Sequence, residues 1–298
     1  MEPLFFIPFF EEKKWGGSKL ATIYGKYSQS INIADCWELS AVQFKQSFVR
    51  NGEFVGATLS ELFARRKNLF GIEGQYFPFV VKLLEVEKQT PISIHGGGLK
   101  DDRTQYEGWY IISADEDSSI MTGTKLKNSK ELRSSIKEGK MMETPFLHRP
   151  KEGECFLVPP GTPHSVSSGL LMYEISSPLR ESSQVFDWEK RDEHPSDYVY
   201  TTVKYGEEIL PSDPVNVSEN IELLLKSDFF VLEKIDAHNT VTLNSEKVFM
   251  AFTALQDGVV SGKDFSTNYK AGETFMIPAG NEKFTLSGGT LLRAMPVT

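Results

Sequence analysis

The chain has 298 residues, 40% of them hydrophobic and 24% charged, which is the composition of an ordinary globular protein with length enough for two packed units. Its formal net charge of -9 argues against a nucleic-acid-binding face, because phosphate backbones require clustered Lys and Arg. Cys36 and Cys155 are too few for a disulfide framework, so both are expected as buried, inert thiols in a reducing, cytoplasmic setting.

Taken in order, the opening PLFFIPFF (3–10) is apolar but short, carries two prolines and lacks a basic leader, so neither a signal peptide nor a membrane span is expected there. TLSELFARRKNLFG predicts a helix that starts with a capping box from Thr58 to Glu61 and stops at Gly71. A series of short apolar or alternating runs then predicts antiparallel strands. VVKLLEV (80–86), GWYIISA (108–114), CFLVPPG (155–161) and GLLMYEIS (169–176) lie in the first part. VFMAFTAL (248–255), TFMIPAG (274–280) and TLLRAMPV (290–297) lie in the last part. Between them SKELRSSIKEG predicts an exposed amphipathic helix with Ser129 as N-cap and Gly139 at its end.

One internal repeat organises the chain. GECFLVPPGTPH, from Gly153, and GETFMIPAGNEK, from Gly272, align without a gap over twelve residues. The shared positions describe a strand entering a tight Pro-x-Gly turn, where Pro sets φ and Gly takes a conformation closed to other residues. The expected fold class is therefore mainly β, with two related barrel-like units. These are an N-terminal domain over residues 1–225 with helical insertions and a smaller C-terminal domain over 226–298. The second copy has Lys283 where the first has His164, so chemistry is expected in the first unit.

Five histidines are present. His148, His194 and His238 have charged or polar neighbours and read as surface residues. His95 stands between an alternating strand and three glycines, and His164 ends the Pro-x-Gly motif. With Glu107 they form a candidate metal site, because a zinc-type ion needs neutral imidazole nitrogens and carboxylate oxygens converging from several strands. The competing reading is a hydrogen-bonded core histidine beside a solvated strand-end carboxylate. Gly153, Pro159, Gly161 and His164 together resemble the second metal-binding motif of cupin barrels. The first cupin motif is poorly matched, since Ser93 stands where a ligand is usual.

KKWGGSKL, CWELSA, FPFVVKLLEV, YEGWYII and VPPGTPHSV, in that order, resemble the type I mannose-6-phosphate isomerases of the short prokaryotic kind over most of the chain. The resemblance implies two cupin-like (jelly-roll) barrels, one Zn2+ per chain on His95, Glu107 and His164, and interconversion of mannose 6-phosphate and fructose 6-phosphate. The expected partner is thus a small hexose phosphate, with no nucleic acid and no membrane. The chain departs from the family pattern at Ser93 (usually a glutamine ligand), Gln105 (commonly lysine) and Gln184 (usually arginine), and Gly96, Gly97 and Gly98 replace a proline and an acidic loop. Arg180 is the candidate cation for phosphate or enediolate, with Arg103 and Lys100 as alternatives. Spacing selects no catalytic base between the available carboxylates Glu38 and Asp101. Two other readings share these features: a non-haem iron oxygenase, which also uses two histidines and a carboxylate, and a sugar-phosphate-binding cupin without chemistry.

Overall fold

The computed structural model describes the chain apart from residues 28, 30, 31, 97–104, 179–182, 191–194 and 298. It is mainly β, built from four larger antiparallel sheets and one two-stranded hairpin. A six-stranded sheet runs in the order Cys155–Val158, Glu107–Ala114, Leu170–Ser176, Val80–Val86, Asp35–Leu39, Phe9–Glu11. Facing it, a five-stranded sheet runs Pro145–His148, Ile120–Thr124, His164–Val166, Ile92–Ile94, Ser183–Phe186. Trp109, Ile111, Phe156 and Met172 from the first sheet pack against Ile120 and Val166 from the second. Alternation along each strand drives this arrangement, since every second residue shares a face.

The other two sheets belong mostly to the end of the chain. The eight-stranded sheet runs Val215–Ser218, Ile221–Lys226, Phe230–Asp236, Thr290–Pro296, Met250–Ala254, Thr274–Ile277, Leu4–Ile7, Phe48–Val49. Against it lies the four-stranded sheet Val241–Ser245, Asn281–Ser287, Gly258–Gly262, Phe265–Tyr269. Phe252, Phe275, Tyr269 and Phe284 fill the space between these two, with ring centroids 5.3 to 5.9 Å apart. Lys283, the counterpart of His164, points out from this filled interior and is exposed.

Two strands from the start of the chain, Leu4–Ile7 and Phe48–Val49, are therefore members of the eight-stranded sheet. Leu4 pairs with Met276 and Phe5 with Phe275. A single apolar core continues from Leu83 and Tyr173 of the six-stranded sheet to Leu232 and Ala294 of the eight-stranded one. The division expected between residues 225 and 226 falls inside the hairpin in which Leu225 pairs with Leu232. Among the described residues the sheets do not close on themselves by hydrogen bonding.

The repeat marks the same structural device twice. In each copy the strand before the Pro-x-Gly turn lies in one sheet and the strand after it lies in the facing sheet. Gly161 (φ 79°) and Gly280 (φ 89°) take the left-handed conformation that the turn requires. The predicted strands are all present within a few residues. The Thr58 capping box is also present, with Thr58 and Glu61 bonding reciprocally, but the helix ends at Arg65 and a separate 3-10 turn, Lys67–Leu69, leads to Gly71. The second long helix, Ser129–Lys137, differs by one residue at its start. Its N-cap is Asn128, whose side-chain oxygen accepts the Glu131 N–H, so Ser129 is already helical. No helix among the described residues is long and apolar enough to cross a membrane.

The Trp15–Gly16–Gly17 segment anchors one wall of the site. The buried Glu85 carboxylate accepts the backbone N–H groups of Lys19 (2.7 Å) and Leu20 (2.8 Å), fixing the short helix Lys19–Tyr24. A Cβ at Gly17 would overlap that carboxylate. Gly17→Ala is expected to displace Glu85 and lower stability by about 1–3 kcal/mol, read as a shifted denaturant midpoint at constant m-value.

Candidate metal centre

Between the six- and five-stranded sheets lies a cavity of about 750 Å³. Its floor follows from strand register. Trp109, Glu174, Lys82 and Trp37 are successive cross-strand partners and all line the cavity. Directly cross-strand residues share a face about 5 Å apart, so this row places two charges and two indoles side by side. On the facing sheet, His164, Ser93 and Gln184 form a second cross-strand row into the same space.

The three ligand candidates converge here. One donor atom each from His95, Glu107 and His164 lies within 4.8 Å of the others. Glu107 Oε1 is 2.9 Å from His95 Nε2, and its Oε2 is 3.9 Å from His164 Nε2. The two imidazoles stack at 4.9 Å with 15° between their planes. His164 Nδ1 is 2.9 Å from the Thr162 carbonyl, to which its N–H donates, leaving the Nε2 lone pair aimed at Glu107. The Pro-x-Gly turn also braces His95, whose carbonyl accepts the Gly161 N–H at 2.8 Å. His95 Nδ1 is buried and has no hydrogen-bond partner among the described residues.

Electrostatics separate the two histidines. Burial alone would raise the Glu107 carboxyl, but the adjacent His95 and His164 imidazoles and the Lys82 ammonium hold it at about 2. Burial would lower His95, yet the Glu107 carboxylate outweighs it and raises the imidazole above its ordinary value. His164 is pushed down to about 4, chiefly by burial, against the pull of Glu107. Two imidazoles and an ionised carboxylate, one imidazole with its lone pair oriented by a carbonyl, suit a divalent ion of the zinc type.

Sequence reasoning missed the pair beside this cluster. Lys82 Nζ and a Glu174 carboxylate oxygen are 2.6 Å apart, and both side chains are almost fully buried. Burial raises the Glu174 carboxyl above the ordinary range despite the ammonium next to it. The signal was available: each is the one charge inside an otherwise apolar run ending or sitting mid-strand, as in VVKLL and LLMYEIS. Of the two carboxylates available from sequence, Glu38 lies on the opposite face of its strand, buried against Lys26 at 2.6 Å, and does not line the cavity. Asp101, Arg103, Lys100 and Arg180 lie outside the described residues, as does His194. His148 and His238 pair locally with Glu154 and Asp236. Both cysteines are buried, and burial pushes the Cys155 thiol up to about 12.

Residues 4–106 match the family model for the type I phosphomannose isomerase catalytic domain, and residues 220–295 match the mannose-6-phosphate isomerase cupin domain. The chain is 30% identical over 304 residues to mannose-6-phosphate isomerase ManA of Bacillus subtilis, covering 96% of each. It superposes on a crystal structure of the mannose 6-phosphate isomerase from Bacillus subtilis with TM-score 0.90 and 27% identity, covering 99% of both chains. A putative mannosephosphate isomerase from Archaeoglobus fulgidus shares the fold, with TM-score 0.81 at 20% identity and coverage of 100% of this chain and 99% of that one.

His164→Ala is expected to abolish stoichiometric metal binding while the apo-protein stays folded, since His95 and Lys82 still balance the buried Glu107. Metal analysis and denaturant unfolding check the two halves. Protons would compete with a metal for His95, whose imidazole is raised above its ordinary value, so metal affinity is expected to fall as pH drops through that raised value. His164 stays neutral down to about 4 and does not contribute to that slope. Chelator competition at a series of pH values reads it directly.

Proposed function

The chain belongs to the type I phosphomannose isomerase family, and we propose from that membership and from the cavity that it interconverts mannose 6-phosphate and fructose 6-phosphate on a zinc ion held by His95, Glu107 and His164. The observation that carries the reading is the convergence of those three donors beside the buried Lys82–Glu174 pair.

Aldose–ketose isomerisation moves a proton between C2 and C1 through an enediol, with charge developing on both oxygens. The bound metal would supply Lewis-acid stabilisation of that charge. The chain's own residues do the rest. Glu174, raised in basicity by burial, takes the proton from C2 and returns it to C1. Lys82 holds the Glu174 carboxylate through the 2.6 Å bond and keeps it oriented in the cavity. Trp109 and Trp37 flank the pair along the strand row and give it an apolar border on each side. Arg180, Arg103 and Lys100 are proposed cationic contacts on sequence grounds alone.

The proposed organisation is two cupin-like units, with the metal centre in the first and a second unit whose interior is filled by aromatic rings. Because Leu4–Ile7 and Ile221–Lys226 belong to the eight-stranded sheet, the units exchange chain at both ends of the first. A cytoplasmic setting, where the two free thiols stay reduced, accompanies this reading.

A coupled assay for fructose 6-phosphate tests the proposal, on zinc-loaded protein and again after chelation. Turnover is expected and should disappear with the metal. Glu174→Gln should lower kcat by about 10²–10⁴-fold while zinc remains bound. No turnover from folded, zinc-loaded protein that binds hexose phosphate would make the chain a binding module. Oxygen uptake with bound iron would make it an oxygenase.

A further inference from the structure

The cavity is longer than the metal centre needs. Its far end is formed by Lys13, Trp15, Asp35, Trp37 and Lys45. Lys45 Nζ lies 4.6 Å from the centre of the Trp37 indole, and Lys13 Nζ lies 5.2 Å from that of Trp15. Lys45 spends two hydrogen bonds, both 2.8 Å, on the Glu11 carboxylate, leaving one of its three N–H donors for a ligand. Lys13 pairs with Asp35. Both ammoniums remain partly open, with side-chain exposures of 29% and 34%. At the metal end Lys82 is nearly fully buried and bonded to Glu174, so it is less open to a ligand than the two ammoniums at the far end.

We propose that Lys45, supported by Lys13, holds the phosphate group of the hexose phosphate at this far end, an inference that rests on the isomerase reading above. The cavity is long enough for the whole substrate. Trp37 lies three strands from the strand carrying Glu107, about 14 Å at ~4.8 Å per strand. An open-chain hexose 6-phosphate measures ~9 Å from C1 to phosphorus on standard bond lengths. The metal–oxygen and C–O bonds at one end and the P–O bond and ammonium contact at the other extend the reach to about 17 Å at most, enough to span those strands. The hairpin that carries Lys45 is built to aim it. Val42 pairs with Lys45 and both line the cavity, closing a two-residue turn in which Phe44 is held at φ 65°. That conformation is strained for an aromatic residue, and the ring is 84% exposed.

The test uses zinc-loaded full-length protein. Lys45→Met should raise KM for mannose 6-phosphate about tenfold or more, with the loss falling on KM rather than kcat. The inhibition constant of inorganic phosphate should rise in parallel, and Lys45→Arg should restore most of both. Zinc content should stay at the wild-type level, which separates lost phosphate contact from lost metal. Unchanged KM and unchanged phosphate inhibition in Lys45→Met would overturn the proposal, as would the same losses appearing only on replacement of Arg180, Arg103 or Lys100. Calorimetric binding of inorganic phosphate to wild type and Lys45→Met gives the answer even without turnover. Weaker binding to the variant supports the site although the isomerase reading has failed, and equal or absent binding overturns it.

Discussion

A carboxylate as deeply buried as Glu107 stays ionised because the His95 imidazole is hydrogen-bonded to it and the Lys82 ammonium stands nearby. That requirement organises the site. Glu107 starts one strand, His164 starts another, and His95 follows a third, so the charge balance is met only if the two facing sheets close to a fixed separation. The next carboxylate along, Glu174, is met by Lys82, and Asp35 is met by Lys13. Each negative charge on the cavity floor thus has a named partner. Removing one partner leaves an uncompensated charge in low dielectric, which costs more than the pair contributes.

The sheets can hold these charges because their other faces are apolar. Cys36, Leu83 and Tyr173 point away from the cavity into the core shared with the eight-stranded sheet, while their neighbours Trp37, Lys82 and Glu174 point into it. Period-two alternation separates a chemical face from a packing face on the same strands. Phe252, Phe275 and Phe284 show the other outcome in the four- and eight-stranded sheets. There the repeat lacks its histidine and the space is closed by rings.

Much of this was legible in the sequence. His164 was visible because the Pro-x-Gly turn constrains its neighbours, and the repeat at Gly272 showed which features were structural and which were peculiar to the first copy. His95 and Glu107 were visible as polar residues at the ends of alternating strands. Lys82 and Glu174 were not singled out, because a single charge within an apolar run reads as an interruption until register puts the two side by side. Register between strands 92 residues apart is a long-range fact that no local pattern carries. The pairing of Phe5 with Phe275 escaped for the same reason, and with it the mixed membership of the eight-stranded sheet. The cap at Asn128 was a closer miss, since Asn and Ser both serve and only backbone geometry decides between them.

The placement of Leu4–Ile7 between Thr274–Ile277 and Phe48–Val49 has a consequence for how the protein is made. Leu4–Ile7 is made about 270 residues before one of its two neighbours, Thr274–Ile277. At ~5–20 residues per second it waits on the order of tens of seconds for that neighbour to be synthesised. Until then Leu4, Phe5 and Phe6, all buried in the finished sheet, stay uncovered on that side. The eight-stranded sheet is therefore completed only once Thr290–Pro296 has been made, and until then the emerging chain carries an apolar segment open on one side.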